Sequence, residues 1–299
     1  MNEAELSGVS TPKPADAPVS VTKSGLPAGV ELGNRQIVTD YYVSSDICNA
    51  TEFAYKVLIR LNAKKQTSFK NVSFQHCVLD GCYMNNCMFD SCNFTGARFL
   101  ACNFHQSSFN GCDFSYAIFE RCQIDDDILE GEAPLQENLR MRFARSLRMN
   151  YQQIGDAKAV NKAISLELEA TATYLHKSWA SKNNYFRKKY QGLKRGRQIV
   201  KWLDFWILNF VWGNGESVFK LIRSILIILG LITLYDTIWH GDARDLSSYL
   251  SSFLSAPAIY LGVISPRLYP TLILSAIAAT RFISIALLTA LLVKRFGRR

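Results

Sequence analysis

The chain has 299 residues, of which 48% are hydrophobic and 20% are charged, and this length leaves room for about one to three domains. Lys and Arg outnumber Asp and Glu by 34 to 25, which gives a formal net charge of +9. The composition is ordinary and by itself excludes little, so the positive charge indicates a partner only once it has been located along the chain.

The N-terminal segment, residues 1–35, carries Pro, Ser, Gly and scattered charges but no apolar stretch. We therefore expect a disordered tail and no secretory signal peptide in this segment. Residues 36–66 follow, and the sequence ATEFAYKVLIRLN at 50–62 predicts a helix within them. Its apolar positions, spaced as on one helical face, are Phe53, Val57, Leu58 and Leu61.

A repeat with a period of five residues begins near residue 67 and ends near residue 131. A large apolar residue occupies every fifth position, with a small residue two positions before it until the pattern decays at Asp127. Neither a helix nor a strand has this period, so the pattern predicts a solenoid. The large residues are Phe69, Phe74, Leu79, Met84, Phe89, Phe94, Phe99, Phe104, Phe109, Phe114, Phe119, Ile124 and Leu129.

Seven of the eight cysteines occupy the small position, Cys82, Cys87 and Cys92 among them. Ala, Ser, Thr and Val alternate with cysteine there, so the position selects for size, and a free cysteine behaves as a small hydrophobe. The spacing lacks the histidine partners of a zinc site, and we expect neither a metal site nor disulfides.

Residues 67–131 resemble the pentapeptide-repeat family, whose consensus is small–polar–Leu/Phe–polar–polar. The resemblance implies a right-handed quadrilateral β-helix with four repeats per coil, so the thirteen repeats imply roughly three coils. The large residues would stack side by side in its core, with Leu129 on the same side as Phe109, and residues 36–66 would form an N-terminal cap. The coil surface carries both charge signs, so an acidic mimic of DNA is not expected. The phenylalanines that we expect in the core of this β-helix are Phe74, Phe89, Phe94, Phe99, Phe104, Phe109 and Phe114.

Residues 132–185 predict a helical hairpin. Pro134 suits a first helical turn, Leu135 begins an apolar face with i+4 spacing, and Gly155-Asp156 separates the two helices. This segment resembles a single tetratricopeptide-type hairpin, which cannot bury its apolar face alone. Two alternatives stay open: packing on the β-helix or a sister subunit, or docking a cytoplasmic protein or small ligand.

Residues 186–215 form a basic and aromatic segment. Residues 186–201 contain seven Lys and Arg residues and no acid, and 201–212 read KWLDFWILNFVW. This combination predicts a juxtamembrane helix on the inner leaflet. Contact with membrane lipid therefore accounts for the basic run, and no nucleic-acid partner is needed.

The last segment, 216–299, contains two apolar stretches, residues 221–239 and 271–293, each long enough to cross about 30 Å of hydrocarbon. Basic residues lie before the first stretch and after the second, whereas the loop between the two stretches is nearly neutral. The excess of positive charge on one side predicts a multi-pass protein with both termini in the cytoplasm.

Each stretch carries a charge at a similar depth, Asp236 about 22 Å and Arg281 about 18 Å from the inner boundary at about 1.5 Å per residue. Because an unpaired charge at this depth is costly, we expect Asp236 and Arg281 to pair, within one subunit or between subunits.

Between the two stretches, Pro257 and Pro266 interrupt an apolar segment too short to span twice. We expect a short helix over 246–256, then an irregular return. Helix, half-helix with loop, and helix is the layout of a tetrameric channel pore. The whole region, 205–299, resembles the two-helix potassium-channel-like domain that follows pentapeptide repeats in some bacterial proteins, and this resemblance implies a location in the bacterial inner membrane.

That resemblance rests on WGNGESVFKLIRSILIILGLITLY and ALLTALLVKRFGRR, but the filter departs from the usual T-x-G-Y-G-D pattern. The threonine and tyrosine are replaced and two residues are missing, so potassium selectivity does not follow. Four arginines at position 281 facing a pore would favour anions. The filter-equivalent residues are Tyr260, Leu261, Gly262, Val263, Ser265 and Pro266.

The sequence therefore predicts a β plus α membrane protein that forms a homotetrameric ion-channel-like pore, with a cytoplasmic sensory or assembly domain. The alternative is a non-conducting, membrane-anchored scaffold derived from a channel fold. Enzymatic activity and a cofactor are not expected, because the four histidines are scattered and no nucleophile–base spacing occurs.

Overall fold

The computed structural model describes residues 35–242 and 244–296, so the predicted tail lies outside them apart from Arg35. The first part of the described chain is a stack of eleven short strands. They are β1 (Ile37–Thr39), β2 (Tyr42–Val43), β3 (Ile47–Cys48), β4 (Val57–Ile59), β5 (Asn62–Ala63), β6 (Ser68–Lys70), β7 (Val78–Asp80), β8 (Met88–Asp90), β9 (Arg98–Leu100), β10 (Ser108–Asn110) and β11 (Ile118–Glu120).

All pairings between these strands are parallel, as in a solenoid. One sheet has the order β1-β4-β7-β9-β11, a second has β10-β8-β6-β3, and β2 pairs with β5. Phe69 lies beside Phe89, and Phe89 beside Phe109, so each turn takes 20 residues. The solenoid has about four turns, which corrects the expected three.

The predicted helical cap over 50–62 is wrong, because β4 and β5 lie there. The solenoid extends upstream to Ile37, but its period is broken. Ala63 and Phe69 both occupy the buried large-residue position, yet they are six residues apart instead of five. Leu58 consequently pairs with Leu79 across 21 residues. This insertion takes the upstream turn out of the five-residue frame, and the register there is further uneven, because Ile47 pairs with Phe69 across 22 residues.

Stacked phenylalanines fill the solenoid. The rings of Phe74, Phe94 and Phe114 follow one another at 5.0 Å between centroids, with interplanar angles of 6° and 7°. Parallel offset stacking of this kind adds to the free energy gained by burying the rings. Phe109 is only half-buried at the open side of its column, and Phe89 is fully buried.

The small positions bring cysteines next to the backbone of the preceding turn. The Cys82 thiol donates to the Leu58 carbonyl at 3.4 Å, and the Cys92 thiol donates to the Phe69 carbonyl at 3.2 Å. All eight cysteines are free, and only Cys48 among them is exposed. Burial raises the pKa of the Cys87 thiol to about 11.

Helices follow the solenoid. They are α1 (Ile128–Gly131), α2 (Glu137–Ile154), α3 (Ala157–Ala180), α4 (Asn184–Lys189), α5 (Leu193–Trp212), α6 (Val218–His240), α7 (Leu246–Leu261) and α8 (Thr271–Phe296). Leu129 therefore lies on α1 and does not continue a strand column as expected, although it is buried.

The hairpin of α2 and α3 turns at Gly155, which adopts φ 81°, and the Asp156 carboxylate accepts a hydrogen bond from the Ala159 amide at 2.9 Å. The left-handed glycine and the capping aspartate end one helix and begin the next. Pro134 and Leu135 lie before α2, and Leu135 is 96% exposed, which corrects their predicted place in the first turn and on its apolar face.

The hairpin closes the last turn of the solenoid. The Phe143 ring contacts those of Phe114 and Phe119 at 5.8 and 6.2 Å between centroids. The Ser146 hydroxyl accepts from the Phe119 amide at 2.9 Å. The apolar face of α2 is therefore covered by packing on the β-helix, and docking of another protein is not needed to cover it.

Candidate functional site

Two helices, α6 with 23 residues and α8 with 26, are long and apolar enough to span a membrane. Between them, α7 is a 16-residue helix that packs mainly on α6. The predicted juxtamembrane helix is divided into α4 and α5, with a break at Tyr190 to Gly192.

The α7 helix does not end at Ala256 as expected, because it continues through Pro257 to Leu261. Gly262 ends it with φ 79°, and the amides of Val263 and Ile264 both donate to the Ala258 carbonyl, at 2.9 and 3.2 Å. Both bonds go to one carbonyl group, and the Gly262 amide donates to the Ile259 carbonyl at 3.1 Å, so the last turn of α7 is capped after the proline.

This arrangement separates the filter-equivalent residues. Tyr260 and Leu261 belong to the end of α7, Gly262 is its cap, and Val263 folds back on the helix. Ser265 and Pro266 lie in the loop before α8. The segment therefore lacks the extended row of carbonyl groups expected of a cation filter.

Asp236 on α6 is hydrogen-bonded to α7 and to the loop before α8. Its carboxylate accepts a hydrogen bond from the Ser252 hydroxyl of α7 at 2.8 Å and another from the Tyr269 hydroxyl at 2.9 Å. The Tyr269 ring in turn contacts the His240 ring at 5.2 Å between centroids. Sequence reasoning missed Ser252 and Tyr269, since a serine and a tyrosine in an apolar segment give no periodic signal.

Arg281 does not meet Asp236 within the chain, so the intrachain form of the expected pair is wrong. Its Nη1 donates instead to the Leu261 carbonyl at 2.8 Å, at the C-terminus of α7. A helix C-terminus carries partial negative charge, which makes it a suitable partner for a guanidinium. A Cβ atom on Gly262 would lie 1.9 Å from the same nitrogen, so the glycine is needed for this approach.

A polar contact joins the start of α6 to the end of α8. Lys294 on α8 donates to the Gly215 carbonyl at 3.0 Å and forms an ion pair with Glu216, just before α6. On the other side of this loop, the Lys220 ammonium donates to the Asn209 side chain of α5 at 2.8 Å. The end of α5 and both apolar helices are thus linked through this loop.

Comparison with known proteins concerns the solenoid. Among solved structures, the chain is similar to two variant forms of QnrB1, a plasmid-mediated fluoroquinolone resistance protein, each 14% identical. The similar parts cover 29% and 31% of this chain, with TM-scores of 0.14 and 0.12. This chain spans only 62% and 63% of those two QnrB1 chains.

A pentapeptide repeat protein, Rfr23 from the cyanobacterium Cyanothece 51142, is 10% identical, over 30% of this chain and 84% of its own, with a TM-score of 0.11. No curated protein sequence matches the chain. Residues 65–127 match the family described as pentapeptide repeat region. That segment of the chain is therefore a pentapeptide-repeat region, and it lies within the solenoid that begins at Ile37.

Proposed function

We propose that the protein is an oligomeric, ion-channel-like pore protein of the bacterial inner membrane, with its pentapeptide-repeat solenoid in the cytoplasm. The observation that carries the proposal is the placement of α7. This helix lies between two apolar helices of membrane-spanning length, packs on the first and ends at Gly262 against the second. Non-spanning helices of this kind enter a membrane only where protein or water covers their ends.

The exposed apolar surface of α7 and α8 suits contact with lipid tails as well as with further copies of the chain, since lipid is as apolar as these side chains. Side chains on α7 and α8 that stay more than half exposed include Leu250, Leu254, Phe282 and Ile285. A symmetric tetramer, as in channels with this helix order, would bring four α7 ends and four copies of Arg281 around one axis. A ring of arginines there favours anions over cations.

A non-conducting scaffold is the second candidate, and the contact between Arg281 and Leu261 favours it. The guanidinium occupies the negative end of α7, where a channel that conducts cations would stabilise a permeating ion. In this alternative the membrane helices anchor and assemble the solenoid, and the contact keeps the axis closed.

Reconstitution of the purified chain in liposomes separates the two functions. We expect Cl⁻ flux from the wild-type protein, and an increase in K⁺ or Na⁺ flux relative to Cl⁻ in Arg281→Leu. Arg267→Leu, in the exposed loop before α8, is the matched control and should leave the ratio unchanged. Absence of flux for K⁺, Na⁺ and Cl⁻ in all three proteins would reject conduction and leave the scaffold.

A further inference from the structure

A cleft lies between the helical hairpin and the inner ends of the apolar helices. Two adjoining cavities of about 520 and 480 Å³ form it, and both are lined by Ile164, Leu168, Glu216 and Lys294. The first is bounded by α3, the start of α6 and the end of α8, and the second by α2 and α3. The cleft is therefore a single space that contacts four helices.

Positive charge predominates around this cleft. Arg145, Arg148, Lys294 and Arg295 line it, against the two carboxylates of Glu167 and Glu216. Arg145 and Arg148 each donate through Nε to Glu167 at 2.8 Å. Because this bond uses only one edge of each guanidinium, both terminal amino groups of the two arginines are left for another acceptor.

The remaining lining suits an organic group rather than a bare ion. Leu168 and Leu291 supply apolar surface, while Thr171 and Gln152 add polar groups beside the arginines. The first turn of α6, at Val218 and Phe219, also faces the cleft; the Ser217 hydroxyl caps the Lys220 amide at 3.3 Å, whereas the amides of Val218 and Phe219 have no partner within the helix. These amides favour negative charge in the same direction as the arginines.

We propose that the cleft binds an organic phosphate, whose phosphate oxygens take the terminal amino groups of Arg145 and Arg148. Arginine pairs are suited to phosphate because two parallel N–H groups match two of its oxygens. The organic part lies on Leu168 and Leu291. A soluble nucleotide and the headgroup of an anionic phospholipid share this chemistry. Because the cleft lies beside the ends of the membrane helices, both kinds of ligand can reach it.

An occupant would connect α2 and α3 to the inner ends of α6 and α8. Occupancy would thus regulate the spacing between the solenoid domain and the membrane helices, and this regulatory role rests on the proposed pore function. The binding site itself does not depend on conduction, so it is tested without any measurement of flux.

Equilibrium dialysis of the full-length chain in detergent, with labelled ATP as the probe, tests the soluble source. Retention of labelled phosphatidylglycerol by the detergent-solubilised chain, compared with labelled neutral phosphatidylcholine, tests the lipid source. We expect Arg145→Gln/Arg148→Gln to weaken binding of one probe tenfold or more. Arg60→Gln/Arg98→Gln, which removes two arginines paired with carboxylates on the solenoid, should leave it unchanged.

Removal of the arginines exposes Glu167, so a second variant keeps the charges intact. Gln152→Trp fills the cleft from an exposed position on α2 and should weaken the same probe. Equal binding of both probes by wild type, the arginine variant and Gln152→Trp would overturn the proposal. A chain that binds but never conducts supports the site and contradicts the pore. A chain that conducts but binds neither probe supports the pore and contradicts the site.

Discussion

Asn150 on α2 makes two hydrogen bonds with the backbone of Cys122 in the last turn of the solenoid. Its side-chain oxygen accepts from the Cys122 amide at 2.6 Å, and its side-chain nitrogen donates to the Cys122 carbonyl at 2.8 Å. The amide side chain thus replaces the next strand at an otherwise unpaired edge. Gln153 accepts from the Arg121 amide in the same way at 2.9 Å. Closure of this edge prevents pairing with another chain.

Replacement of Asn150 by Ala should open the last turn of the solenoid. Two buried backbone groups lose their partner, and each such loss costs about 1–3 kcal/mol. We expect amide hydrogen exchange at Cys122 and Arg121 to accelerate at least tenfold, since about 1.4 kcal/mol corresponds to a factor of ten. Met149→Ala, at an exposed position of the same helix, is the control and should leave exchange at both amides unchanged.

Phe94→Ala should strongly destabilise the solenoid. The ring lies between those of Phe74 and Phe114 and is fully buried, so its removal leaves a cavity that neighbours on two turns cannot fill. We expect a loss of about 3–5 kcal/mol in the free energy of unfolding, measured by denaturant titration. Tyr83→Ala, at an exposed site of the solenoid, should cost less than 1 kcal/mol, about the usual effect of a surface substitution. Similar losses in both variants would contradict the stacked core.

The cysteines test whether their positions select for size. With Cys48 exposed and seven thiols buried, we expect a maleimide to label one cysteine per native chain and eight after unfolding. The raised pKa of Cys87, about 11, leaves about one thiolate in a thousand at pH 8, so labelling there stays slow between pH 7 and 9. Cys48→Ser should abolish native labelling. Rapid reaction of several cysteines in the native chain would show that these thiols are accessible. That result would contradict a packed solenoid core.

Gly262→Ala tests the close approach of Arg281 to the end of α7. A side chain at φ 79° costs about 1–2 kcal/mol, and the added Cβ would also displace the guanidinium from the Leu261 carbonyl. We expect the midpoint of thermal unfolding in detergent to fall by about 2–8 °C. Gly230→Ala is the matched control, because its Cβ would meet open space in a helix interior, and its midpoint should stay or rise. Equal midpoints for the two variants would contradict the contact.

The five-residue frame from Phe69 to Phe119 predicted the solenoid and its core because every large residue meets its equivalent on the next turn. The turn before it was missed for a geometric reason. One extra residue between Ala63 and Phe69 keeps both side chains inside but breaks the period. The apolar face over 50–62 then satisfied a helical pattern as well as a strand pattern, and the sequence alone gave no means of choosing.

Polar partners in the C-terminal helices were the least predictable feature. The helical rise per residue predicted similar depths for Asp236 and Arg281, but it carries no information on the direction of either side chain. Ser252 and Tyr269 lie nearer to Asp236, and the end of α7 lies nearer to Arg281. That end was itself misplaced, since proline normally disfavours a helix interior, and the capping bonds after Gly262 are visible only in three dimensions.

Vectorial labelling of single cysteines tests the placement of α6 and α8 in a membrane most directly. Cys48 reports on the solenoid, and Arg244→Cys in the Cys48→Ser background reports on the segment between α6 and α7. With an impermeant maleimide, we predict that right-side-out vesicles label only position 244 and inside-out vesicles label only Cys48. Labelling of both positions from the same side, or recovery of the chain in the soluble fraction, would contradict the membrane-spanning arrangement.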